Sequence, residues 1–171
     1  MKALLVVDMI NDFIREDGKL SCSEAGLAIA DFVSDRIDEY REAGHKIVFI
    51  CDHHEEDDKE FLMFSKHAVK GTEGSKIIEE LDVREEDKVI YKRRYSSFFG
   101  TELDLYLREQ EIDEISIVGV CTNICILYTT ADARNLAYKV NVYKNGVASF
   151  DEEAHEFALK EIRTTLGANV I

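Results

Sequence analysis

The chain has 171 residues, 46% of them apolar and 33% charged, with a formal net charge of -14 at neutral pH. That apolar share suffices for one domain to close a core without disulfides or a structural metal. The acidic surplus argues against nucleic acid and anionic membranes as partners, because phosphate would be repelled, and leaves a small molecule as the partner class.

The opening MKALLVVDMIND meets acid after a short apolar run, without the apolar core and small-residue cleavage site of a signal peptide. No long uncharged apolar stretch follows. Cys22, Cys51, Cys121 and Cys125 are too sparse for a disulfide framework and read as reduced thiols, so a cytoplasmic location is expected.

In chain order, β-branched runs alternate with amphipathic stretches, without repeat, linker or composition break, which predicts a single domain over residues 1–171. The first strand is 3–7. A helix beginning near Ser21 or Ser23, where Ser21 and Glu24 have capping-box spacing, carries Ile29, Phe32, Val33, Ile37 and Tyr40 on one face and stops at Gly44. A strand at 46–50 is followed by a short helix around 75–81, a strand at 88–91 and a helix over 101–109. Then come a strand at 114–118, a helix after Thr122, a strand at 139–143, a helix capped by Ser149 with Glu152, and a terminal strand at 169–171. Most strands are near-continuous Val/Ile/Leu runs, as parallel strands covered on both faces should be. The expected fold class is α/β, a three-layer α/β/α arrangement with a doubly wound, mostly parallel six-stranded sheet. Such sheets bind ligands beyond the carboxyl ends of their strands.

Asp8 stands directly after the first strand, where a carboxylate lands on the sheet rim; a loop aspartate capping a turn is the plainer reading. Cys51-Asp52-His53-His54 follows the second strand, and Asp52 and His54 share a side if the chain stays extended. Glu60 and His67 would complete an oxygen and nitrogen set suited to zinc, manganese or iron, while Glu55, Glu56, Asp57 and Asp58 equally suit a solvated acidic loop. Lys92 ends the third strand, and a lysine held beside Asp8 could stabilise a thiolate. Cys125 falls in the first turn after the fourth strand, where free backbone N–H groups and the helix dipole favour a thiolate and can cradle an oxyanion. Cys121 and Cys125 also fit buried apolar thiols, or a redox or metal pair four residues apart.

Together, LLVVDMINDF, the Asp-x-His with a later HAVKGTEGS, YKRRYSSFFGTELD and GVCTNICILYTTADARNLAYKVNVY resemble the isochorismatase-like cysteine hydrolases, nicotinamidases most closely. The motifs stand in the family's order and cover nearly the whole chain. The resemblance implies Asp8 as general base and acid, Lys92 as cationic partner and Cys125 as nucleophile. It implies a cis peptide between Val120 and Cys121, with the backbone amides of Cys121 and Cys125 forming an oxyanion hole. Asp52, His54 and His67 would bind one divalent metal, expected to be zinc, with manganese or iron as alternatives; Glu60 matches an additional carboxylate ligand. Phe13, Phe64, Tyr95 and Val120 would contact the substrate. Ile10 stands where the family commonly has Gln, and Asn145 where it has Asp.

The implied activity is hydrolysis of nicotinamide to nicotinate and ammonia through a cysteine thioester, a step of NAD salvage, with a homo-oligomer left open. Two other readings remain. One is a family member acting on a ureido or carbamoyl amide or on isochorismate; the other is a non-catalytic flavodoxin-like binding module.

Overall fold

A computed structural model describes residues 1–171. Six strands form one sheet: β1 Ala3–Val7, β2 Lys46–Asp52, β3 Lys88–Lys92, β4 Glu114–Val120, β5 Lys139–Ala148 and β6 Asn169–Val170. Their spatial order is β3-β2-β1-β4-β5-β6, and every pairing is parallel. The order runs outward from β1 on one side and from β4 on the other. Crossovers therefore leave to opposite faces between β1 and β4, which opens a crevice at the carboxyl ends of those two strands.

The helices are α1 Asn11–Ile14, α2 Ser23–Ala28, α3 Ala30–Glu42, α4 Leu103–Glu109, α5 Leu127–Asn135 and α6 Glu152–Thr164. Strand β1 shows how they make three layers. Its Leu4 and Val6 share one apolar cluster with Val33, Ile37 and Tyr40 of α3. Ala3, Leu5 and Val7 turn to the other face and join Leu103 and Leu107 of α4, Ala133 of α5, and Leu159 and Ile162 of α6. Each fully buried Leu or Ile contributes about 1.5–3 kcal/mol, so alternate residues of one strand anchor both helical layers. No helix is long and apolar enough to cross a membrane.

Three local expectations change. The helix expected from Ser21 or Ser23 is two helices broken at Ile29, and Ser21 makes no capping box; its Oγ accepts from Ser23 N–H instead. The helix expected around Ser75 is only a 3-10 turn, Glu73–Ser75. Beyond it the backbone is extended, because Ile77 bridges Ile10 and Ile78 N–H donates to the Met9 carbonyl. A helix there would forfeit those bonds to the segment that leaves β1. The cap of α6 is Asp151, whose side chain accepts from Ala154 N–H, while Ser149 donates to Asn123.

Strands β2, β3 and β4 also run further than their apolar patterns suggest. Asp52 and Lys92 are register partners inside the ladder, not residues beyond it. Gly119 in β4 has φ of +117°, and a Cβ there would lie 1.9 Å from the Val7 carbonyl oxygen. Only glycine allows the two central strands to approach this closely where the crevice begins.

Candidate active site

Four strand ends meet at the crevice. Asp8 follows β1, Asp52 ends β2, Lys92 ends β3, and Cys121 to Cys125 follow β4. The Val120–Cys121 peptide is cis, as the resemblance implied. After it the chain makes one π-helical turn, Thr122–Ile126, before α5, and Cys125 lies inside that turn.

Lys92 is the hub. Its ammonium lies 2.8 Å from Asp8 Oδ2, donates to Asp52 Oδ1, and lies 3.5 Å from Cys125 Sγ. The Lys92 and Asp8 side chains are fully buried. Asp8 Oδ1 accepts the Asp52 backbone N–H at 2.8 Å, which fixes the carboxylate's orientation. Asp8 Oδ2 pairs with Lys92 by charge but has no aligned hydrogen bond. One oxygen of the Asp8 carboxylate lies within 4.8 Å of Cys125 Sγ.

Burial and then the neighbouring Asp52 charge push the Asp8 carboxyl up to about 6, against the pull of Lys92. Burial would strip the proton from Lys92, but Asp52 and Asp8 outweigh it and hold the ammonium charged. Burial, followed by the Asp8 charge, raises the Cys125 thiol well above its ordinary value despite Lys92. Both shifts favour a thiol beside a carboxylate, because the lysine's positive charge is divided between two carboxylates while the sulfur is fully buried. A base poised near neutrality beside a thiol can still take its proton as the sulfur attacks.

Beside this cluster, Asp52, His54, Glu60 and His67 are all buried, with one donor atom from each lying within 4.8 Å of the others. His54 Nε2 is 3.5 Å and His67 Nε2 3.9 Å from Asp52 Oδ2. His54 Nδ1 faces Asp58 Oδ2 at 3.2 Å, and His67 Nδ1 faces the Ser65 carbonyl at 2.6 Å. With Nδ1 donating outward, both rings turn Nε2 inward, where a neutral ring presents a lone pair. His54 Nε2 is buried with no hydrogen-bond partner. A buried orphan nitrogen among two carboxylates and a second imidazole suits a divalent metal.

A narrow, largely apolar slot joins the two clusters. Its wall includes Phe13, Phe64, Tyr95 and Cys121, with Asp52, Glu60 and His67 at one part and Cys125 at another. Phe13, Phe64 and Tyr95, expected to contact a substrate, line this slot. Val120, expected with them, is not in its wall and is fully buried in the core beneath it. Ile10 also points into the core, and Asn145 is exposed on β5.

Sequence reasoning missed Leu20, Ile124 and Phe150 in the wall. It also missed Asp12, whose carboxylate accepts from Ala68 N–H at 2.7 Å and so ties down the loop carrying His67. A Cβ on Gly74 would fall 2.1 Å from the same carboxylate. No local pattern marks Asp12, but its position four residues after Asp8 in the first motif was a usable signal.

A parallel α/β sheet with buried carboxylate, ammonium and thiol at its central strand ends defines a class of proteins equipped for cysteine nucleophilic chemistry. Residues 2–171 match the model of the isochorismatase domain, and the chain belongs to that family. It is 40% identical to the isochorismatase family protein PncA of Bacillus subtilis (strain 168), over 99% of this chain and 98% of the relative. The crystal structure of a pyrazinamidase/nicotinamidase from Streptococcus mutans UA159 superposes with a TM-score of 0.95 at 36% identity, covering 100% of both chains. A pyrazinamidase of Pyrococcus horikoshii, solved in complex with zinc, gives 0.93 at 30% identity over 99% of this chain and 98% of that one.

Proposed function

We propose that this isochorismatase-family chain is a metal-dependent amidohydrolase acting on nicotinamide. The observation that carries the reading is the slot itself, whose wall brings together three of the four clustered donors, Asp52, Glu60 and His67, and the Cys125 sulfur. A planar ring bearing a nitrogen acceptor and a carboxamide can address both at once. The metal set also separates this reading from a ureido, carbamoyl or isochorismate hydrolase, which would need the triad alone.

Asp52, His54, Glu60 and His67 would hold one divalent ion, zinc in the first place and otherwise manganese or iron, and it would supply a Lewis-acid contact for the ring nitrogen. Phe13, Phe64 and Tyr95 line the ring's flanks and keep water from the reacting carbon. Cys125 Sγ attacks the carboxamide carbon while Asp8 Oδ2 takes the thiol proton, and Lys92 holds the developing negative charge near both groups. The backbone N–H groups of Cys121 and Cys125 receive the oxyanion. Asp8 returns its proton to the amide nitrogen, the C–N bond breaks and ammonia leaves a thioester on Cys125. The same carboxylate then activates water, whose attack releases nicotinate and returns the thiol.

Ammonia release from nicotinamide, pyrazinamide and biuret, with pyruvate release from isochorismate as a control, measured on one preparation of known metal content, tests this. Turnover of nicotinamide by metal-loaded protein is expected. Turnover of biuret alone, by protein that takes up no metal, would sink it.

A further inference from the structure

Asp58 is not among the four clustered donors, yet it touches two of them. Its side chain is completely buried at the start of the 3-10 turn Lys59–Leu62. Oδ2 stands 3.2 Å from His54 Nδ1, and Oδ1 accepts the Glu60 backbone N–H at 3.0 Å. From the outer side, Arg93 Nε donates to Oδ2 at 3.0 Å and Arg94 Nη1 to Oδ1 at 3.1 Å. Arg93 and Arg94 are about half exposed and directly follow Lys92. One carboxylate thus ties together the His54 imidazole, the Glu60 backbone and the two residues that follow β3.

The two histidines differ in what holds them. His67 Nδ1 rests on a neutral backbone carbonyl, whereas His54 Nδ1 rests on an ionised carboxylate. An anionic acceptor fixes the tautomer, locks the ring plane and makes the opposite nitrogen more basic toward a metal. Arg93 and Arg94 close the outer side of the Asp58 carboxylate, so that both of its oxygens are engaged.

We propose that Asp58 is the positioning residue of the metal centre: it aims His54 Nε2 into the donor set and seats Glu60 through the turn it caps, and so controls how tightly the metal is held. This rests on the metal reading given above. It assigns Asp58 no role at the thiol.

Zinc affinity, measured by competition with a chromophoric chelator, tests the assignment on wild type, on Asp58→Asn and on an Arg93→Gln/Arg94→Gln double variant. Asp58→Asn is expected to bind zinc about 10- to 100-fold more weakly. Its nicotinamide turnover should be low at limiting zinc and recover in excess zinc. The double variant should stay within about fivefold of wild type, since the two guanidiniums are about half exposed and the His54 ring and Glu60 N–H still hold Asp58 in place. Equal affinity in Asp58→Asn and wild type overturns the assignment, as does equal weakening in both variants, which would make Asp58 a loop clamp only. Wild type that binds no zinc overturns the metal reading and this inference with it. If Asp58→Asn does not fold, cobalt(II)-loaded wild type decides: a solvent-exchangeable, metal-shifted Nδ1 proton on His54 supports the assignment, and its absence overturns it.

Discussion

The carboxyl ends of β1 to β4 and the loop from His53 to Ser75 both bring buried polar side chains to the site, but they are built in different ways. Asp8, Asp52, Lys92 and Cys125 inherit their positions from the sheet: the Asp52–Lys92 register, the Asp8 N–H bonded to the Ile50 carbonyl, and the close passage of Gly119 over Val7. The loop has only 3-10 turns and isolated bridges of its own. It is held by side chains, with Asp12 gripping Ala68, Asp58 gripping His54 and Glu60, and Ser65 gripping His67. The comparison teaches a division of labour. Under the proposed function, the bond-breaking groups would sit on the most rigid scaffold available, and the groups that select the substrate on a segment that can vary without disturbing the sheet.

Four substitutions separate the two regions. Cys125→Ala should lower ammonia release from nicotinamide by about ten-thousand-fold or more, since removing a nucleophile disables the whole catalytic unit. Its metal content, read by mass spectrometry on the purified protein, should match wild type; loss of metal would mean the regions are not separable. Gly119→Ala should be the most damaging change to the sheet side. A methyl group 1.9 Å from the Val7 oxygen, at φ of +117°, must push β1 and β4 apart. A loss of about 3 kcal/mol in urea unfolding is expected, and an unchanged midpoint would refute the close approach.

His54→Ala strikes the loop side. It should abolish tight zinc binding and lower kcat/KM for nicotinamide about 100-fold through lost orientation, while the thiol remains alkylatable. Chelation of wild type should reproduce that loss and added zinc should reverse it. The smallest effect belongs to Phe64→Ala, which trims one wall of the slot. About a tenfold rise in KM with kcat nearly constant is expected, and a fall in kcat alone would place Phe64 in the chemistry instead.

The sheet side was largely legible. Strands of Val, Ile and Leu announce themselves locally, and Asp8, Lys92 and Cys125 stand where those runs end. The loop side was legible only through motif order. Asp58 lies in an acidic run with Glu55, Glu56 and Asp57, yet those three are exposed and it alone turns inward. The stretch near Ser75 has no local reason to be extended; it becomes so by pairing with residues more than sixty positions earlier.

By itself the sequence determined which segments are strands, that the sheet is parallel and covered on both faces, and which side chains stand at its rim. These follow from periodicity and composition, which act over a few neighbouring residues. The tertiary structure alone decided that Lys92 divides its charge between Asp8 and Asp52 beside the buried Cys125. It also decided that Val120 faces the core, and that Asp58 stands behind His54. Each of these depends on distance, burial and charge between residues brought together from separate strands and loops, which no local pattern encodes.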